Sequence, residues 1–131
     1  MLGKKTVKKK STAQKSTKKK RLVSVKIKNH RDVKGDHPHV IMGDIQDKHV
    51  SVGLSTKPKK GKNSTNYKCE SNPLGGEGTS YMRRQGTVDK KTNYYGARSG
   101  QMSPKDYEQA KVYAERAKQK YIKKSNDKPN T

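Results

Sequence analysis

The sequence contains no tryptophan, no phenylalanine and a single cysteine. It also lacks any apolar run long enough to span a bilayer, so no membrane partner is expected. The lone Cys69 excludes an intrachain disulfide, and no CxxC pattern or clustered ligand set beside it would make a cysteine zinc site. A reducing compartment follows, and because no apolar h-region follows the basic N-terminus, the protein reads as cytoplasmic. Acidic residues are scarce: 11 Asp and Glu stand against 33 Lys and Arg, for a formal net charge of +22. Small soluble domains usually carry a net charge of magnitude about 2 to 8. The excess gives a positive potential over most of the surface and points to a polyanion as partner, a nucleic acid being the expectation and RNA favoured over DNA.

Large aliphatic residues are few as well. Leu, Ile and Val together number 17 of 131, and eleven of these lie between Leu22 and Leu54, so one small core is feasible there. Three segments follow: a disordered basic arm over residues 1–21, one small domain over 22–124, and a disordered tail over 125–131. The arm holds ten Lys or Arg and no acid. Its run Lys18-Lys19-Lys20-Arg21 fits a phosphate-binding arm, and also the looser pattern of a nuclear localisation signal.

Val23, Val25 and Ile27 alternate with Ser24, Lys26 and Lys28, which predicts a half-buried strand. His30 to His37 reads as a loop. Val40, Ile41 and Met42 together predict a strand over His39 to Ile45 buried on both faces. After a turn at Gln46-Asp47-Lys48, Val50, Val52 and Leu54 alternate with Ser51, Gly53 and Ser55, so a third strand should return as a hairpin. Lys57, Lys59, Lys60 and Lys62 around Pro58 and Gly61 form a basic loop and a second candidate nucleic-acid contact. Tyr81 to Val88 suggests one or two short strands interrupted at Gly86. Ser103-Pro104-Lys105-Asp106 is a helix start, with a capping serine and a first-turn proline. Tyr107, Ala110, Ala114, Ala117 and Tyr121 then recur at helical spacing to about Lys124. The fold class is mainly β with a C-terminal α-helix, as a small barrel or curled sheet.

Several residues could carry chemistry. His37 and His39 share one side of a strand, with Asp36, Asp44 and His49 as companions; proton transfer suits them better than a metal site, which needs three convergent ligands, and for any one histidine alone a surface position without a role is the leading account. Ser55 and Thr56 place two hydroxyls where a strand meets the basic loop and could donate to a phosphate; on spacing alone, ordinary strand-end polarity is the better account of them. Adjacent arginines in a strand point to opposite faces, so one of Arg83 and Arg84 can serve a site while the other serves the surface. An arginine fork suits a phosphate, and Asp89 could orient a base or form a structural ion pair.

The segment Ser80-Tyr81-Met82-Arg83-Arg84-Gln85-Gly86-Thr87-Val88-Asp89-Lys90, followed by Gly100-Gln101-Met102-Ser103 and a closing helix, resembles the C-terminal half of PemK/MazF-type toxins. The N-terminal half is compatible through Pro38-His39-Val40-Ile41-Met42 and Leu54-Ser55-Thr56-Lys57. The resemblance covers about residues 22–124. It implies an SH3-like barrel, commonly a homodimer and paired with a small acidic antitoxin protein, that cleaves single-stranded RNA without a metal or other cofactor. It also implies that Ser55 and Thr56 occupy the hydroxyl positions and Asp89 the acidic position. Two departures stand out. His37-Pro38 replaces the usual Arg-Pro, leaving His37 or an arginine of Arg83-Arg84 to take that role, and Gly86 stands where the family has a side chain. Two further readings rest on the same charged surface: a non-enzymatic nucleic-acid-binding or ribosome-associated protein, and an inhibitor of a host ribonucleoprotein.

Overall fold

A computed structural model describes residues 21–32, 35–59 and 65–127. Among these residues six antiparallel strands form one sheet: β1 (Val23–His30), β2 (His37–Ile45), β3 (Lys48–Ser55), β4 (Tyr67–Lys68), β5 (Tyr81–Lys90) and β6 (Tyr94–Met102), followed by helix α1 (Pro104–Asp127). The strand order across the sheet is β4-β5-β3-β2-β1-β6. Residues 1–20 of the expected arm, including Lys18, Lys19 and Lys20, the loop lysines Lys60 and Lys62, and residues 128–131 of the expected tail lie outside the described residues. Among those described, no helix is long and apolar enough to cross a membrane.

Register explains the core. Ile27 faces Val40, Val40 faces Val52, and Val52 faces Gly86, so one row crosses four strands on the face beneath α1. Ile27, Val40 and Val52 are fully buried there, together with Leu54, Met82, Met102 and the helix residues Ala110 and Tyr113. At Gly86 the helix takes the place of a side chain. A Cβ there would sit 2.8 Å from the Tyr113 carbonyl oxygen and 2.9 Å from the Ala117 Cβ, closer than packed atoms tolerate. Glycine at this position is therefore accounted for by helix packing.

The helix begins as its sequence predicts: Ser103 Oγ accepts the Asp106 N–H at 3.1 Å. The Asp106 carboxylate turns towards the sheet edge, where it accepts the N–H groups of Glu70 (2.8 Å) and Ser71 (3.3 Å) and the Tyr67 hydroxyl (3.1 Å). This buried acid ties the short β4 segment to the first turn of α1. The helix continues through residues 125–127, beyond the end at Lys124 expected from the apolar stripe.

The sheet is strongly curled. Lys90 and Tyr94 are joined by one three-residue 3-10 turn, Lys91–Asn93, and can be at most about 14 Å apart. In a flat sheet β5 and β6, four strand positions apart, would be separated by about 19 Å. The curl also brings His30 Nε2 of β1 to within 2.8 Å of Asp89 Oδ2 of β5, although β2 and β3 lie between them. The two edges are not joined by a ladder. Instead the loop before β5 bridges towards β6, where the Gln101 N–H donates to the Pro73 carbonyl at 3.4 Å.

Several local expectations change. Tyr81–Lys90 is one continuous strand that runs through Gly86, which pairs with Val52, and the irregularity expected there is a register shift in the ladder with β3 between the Val52–Gly86 and Leu54–Met82 pairs. β1 extends to His30 and β2 starts at His37, which shortens the loop between them. On β2 His39 and Val40 are buried, while Ile41 and Met42 are only half-buried. Neither β6 nor the two-residue β4 was evident in the sequence.

Candidate active site

The face of the sheet opposite α1 is polar and concave. Lys28 of β1 faces His39 of β2, which faces Gly53 of β3, a row running beside the apolar one. His39 is 6 % exposed, and its Nδ1 shares a 2.9 Å hydrogen bond with Ser51 Oγ. Ser51 Oγ in turn lies 2.8 Å from the Tyr94 hydroxyl. The rings of His30, His39 and His49 all gather on Tyr94, with centroid distances of 4.7, 6.1 and 4.9 Å. Two carboxylates complete the cluster: Asp89 on His30 at 2.8 Å and Asp44 on His49 Nδ1 at 2.7 Å. Lys28 Nζ also approaches His49 Nε2 to 3.0 Å.

The electrostatics follow from this enclosure. Burial, reinforced by the neighbouring His30, Arg83 and His37, pushes the His39 pKa down to about 3 against the opposing pull of Asp32. His39 is therefore neutral at neutral pH. Burial drives the Tyr94 hydroxyl up to about 12, so it remains a protonated hydrogen-bonding group. Burial alone would raise Asp89, but hydrogen bonds from His30, Asn93 and the Lys90 backbone outweigh it and hold the carboxyl below its ordinary value.

A cavity of about 450 Å³ opens beside this cluster. It is lined by His37 from β2, Arg83 from β5, Ser55 and Thr56 from the end of β3, and Lys57 and Lys59 from the basic loop. Gly53 lets Arg83 and the buried His39 lie close over β3: a Cβ there would stand 3.1 Å from His39 Nε2 and 3.3 Å from Arg83 Cδ. Arg83 thus crosses the bare backbone of β3 and lines the cavity, while His39 stays in the polar cluster beside it. The rim is braced, since Asn66 donates from Nδ2 to the Lys57 carbonyl at 3.0 Å and from its backbone N–H to the Pro58 carbonyl at 2.8 Å. Ser55 Oγ accepts the Lys57 N–H at 3.0 Å, which leaves its own hydrogen to donate.

The structure brings together His37, Ser55, Thr56 and Arg83 and separates them from Arg84 and Asp89. Arg84 points to the opposite face, donating from Nε to the Thr65 carbonyl at 2.8 Å and from Nη1 to the Tyr113 hydroxyl at 3.1 Å. Asp89 belongs to the His30 end of the polar cluster. Arg21 lies exposed before β1. Sequence reasoning noted His39 and His49 but missed His30, Ser51 and Tyr94. Their pairing across non-adjacent strands leaves no local signal. Among the described residues, no three His, Cys, Asp or Glu side chains come together so as to hold a metal ion.

Neither a protein-family model, nor a curated protein, nor a solved structure matches this chain.

Proposed function

We propose that the protein binds single-stranded RNA in the cavity between β2, β3 and β5 and cleaves it by a metal-independent reaction. One observation carries this reading: His37, Arg83, Ser55 and Thr56 line one cavity with Lys57 and Lys59 among its walls. A titratable ring, a guanidinium, hydroxyl donors and backbone-binding cations are the groups that transesterification of RNA requires. In the proposed step His37 removes the proton from a 2′-hydroxyl as its oxygen bonds to the adjacent phosphorus. Arg83, Ser55 and Thr56 hold the non-bridging oxygens. The bond to the 5′-oxygen breaks, that oxygen takes a proton from solvent, and a 2′,3′-cyclic phosphate remains.

The PemK/MazF resemblance supports the same reading and extends it to an SH3-like barrel, a homodimer, a cytoplasmic setting and an acidic antitoxin protein as partner. Single-turnover cleavage tests it. Arg83→Ala should slow cleavage by more than it weakens RNA binding, because a group acting on the transition state affects rate beyond ground-state affinity. His37→Ala should flatten the acidic limb of the pH-rate profile.

A second reading, a non-enzymatic nucleic-acid-binding or ribosome-associated protein, draws on the engagement of Arg84 and Asp89 away from the cavity. It predicts RNA binding with no cleavage by the intact chain.

A further inference from the structure

The other face of β5 carries a second concave basic surface that the cavity does not use. A groove of about 500 Å³ runs between β5 and the C-terminal half of α1. Gly86, Val88 and Ala117 contribute apolar and backbone surface to it. The helix can lie this close only because Gly86 has no side chain. Among the described residues four cations line the groove, Arg84 from the strand and Arg116, Lys120 and Lys124 from the helix, and no acid does. The three helix cations recur every four residues, so they form one row along the groove about 12 Å long at 1.5 Å per residue.

Three features distinguish this groove from an ordinary solvated face. Cations dominate the C-terminal half of α1: between Arg116 and Asn126 there are five Lys or Arg and no acid before Asp127 closes the helix, while Glu108 and Glu115 line the neighbouring surface beside Met42 and Asp44, which Arg116 also borders. The helix dipole favours cations in the last turn, yet it does not account for Arg116 or for cations on the sheet. Next, Lys48 and Lys90 face each other directly in the β3–β5 ladder, an arrangement that repels and weakens a sheet unless an anion sits between or beside the two. Asp47 offsets Lys48 in part at 3.1 Å. Finally, Lys48 Nζ stands 5.7 Å over the ring of Tyr121, a half-buried aromatic lining the groove. A basic track beside an aromatic platform is the arrangement by which proteins hold single strands, with phosphates on the cations and a base on the ring.

We propose that this groove is a second, non-cleaving track for single-stranded RNA, with Arg116, Lys120, Lys124, Lys48 and Lys90 on the phosphates and Tyr121 beneath a base. The proposal rests on the RNA-binding reading above and extends it to the flanking strand. A short oligonucleotide fills the cavity alone, whereas a longer one reaches both surfaces.

The test compares a 4-nucleotide and a 20-nucleotide RNA on the full chain, measuring affinity against salt concentration. Lys120→Gln with Lys124→Gln removes two groove cations. Lys118→Gln with Lys123→Gln removes the same charge from the same helix outside the groove. Each lost phosphate contact on a single strand should lower the salt slope by about 0.7, so the groove pair should lower it by about 1.4 and weaken 20-nucleotide binding about tenfold at physiological salt. Binding of the 4-nucleotide RNA and melting temperature should stay unchanged. Tyr121→Leu keeps the buried apolar contact and should weaken only the longer RNA. Equal losses from the two lysine pairs would reduce the effect to net charge and overturn the proposal, as would no loss from the groove pair. Displacement of a groove-bound probe by polyglutamate but not by RNA would assign the surface to an acidic protein segment and overturn it too. If the unaltered chain binds neither RNA, the RNA-binding reading itself fails, an outcome distinct from failure of the groove alone.

Discussion

His39 Nδ1 and Ser51 Oγ meet at 2.9 Å in the concave polar face, and both residues are buried. The histidine is thus built into the sheet in its neutral form, and the fold depends on its staying so. Unfolded histidine binds its proton near pH 6.5, whereas the folded His39 does so only near 3. As the pH falls below 6.5 the unfolded chain gains the proton first, and stability declines until about pH 3.

Urea denaturation at stepped pH should show this loss at about 1.4 kcal/mol per pH unit over the window in which only the unfolded histidine is protonated. Asp89, whose carboxyl is held below its ordinary value, loses its own contribution in the same direction at lower pH. His39→Gln should be less stable at pH 7 but show a flatter decline. An unchanged slope in that variant would mean that His39 is not the buried group responsible.

Gly53→Ala probes the link between the polar cluster and the cavity. The new methyl would press on His39 Nε2 and the Arg83 stem at 3.1 and 3.3 Å. Destabilisation should stay near 1 kcal/mol, in the lower part of the range for overpacking. RNA affinity and cleavage should fall by a larger factor, because Arg83 is displaced. A variant with full activity and normal stability would show that Arg83 does not depend on the bare backbone beneath it.

Asp106→Ala should lower stability by about 1–3 kcal/mol, since the N–H groups of Glu70 and Ser71 and the Tyr67 hydroxyl lose their buried acceptor. The helix cap at Ser103 Oγ survives the change. Thermal melting with far-ultraviolet circular dichroism separates the two effects: the melting temperature should drop while helix content at low temperature is retained.

Much of this architecture is readable from local pattern. The alternation of Val23, Val25 and Ile27 and of Val50, Val52 and Leu54 marks β1 and β3, and Ser103-Pro104 marks the helix start. β6 is silent because of its nine residues only Tyr94 and Met102, at its two ends, are buried. Gly100 packs against Ile27 and the Pro73 carbonyl through the absence of a side chain, a contact that no hydropathy pattern records. The site divides in the same way. His37, Ser55, Thr56 and Arg83 could be picked out by residue type and strand position. The pairs His30–Asp89 and Ser51–Tyr94 join residues 59 and 43 positions apart through the curl of the sheet, so nothing in either neighbourhood announces them.

The most direct measurement is incubation of the full chain with a defined single-stranded RNA in excess EDTA, followed by analysis of the product ends. The account predicts cleavage that persists in EDTA and leaves 2′,3′-cyclic phosphate and 5′-hydroxyl termini, with Arg83→Ala strongly impaired in rate and Arg84→Ala impaired mainly in stability. RNA that is bound but left intact by the unaltered protein would contradict the proposed chemistry and leave a binding protein in its place.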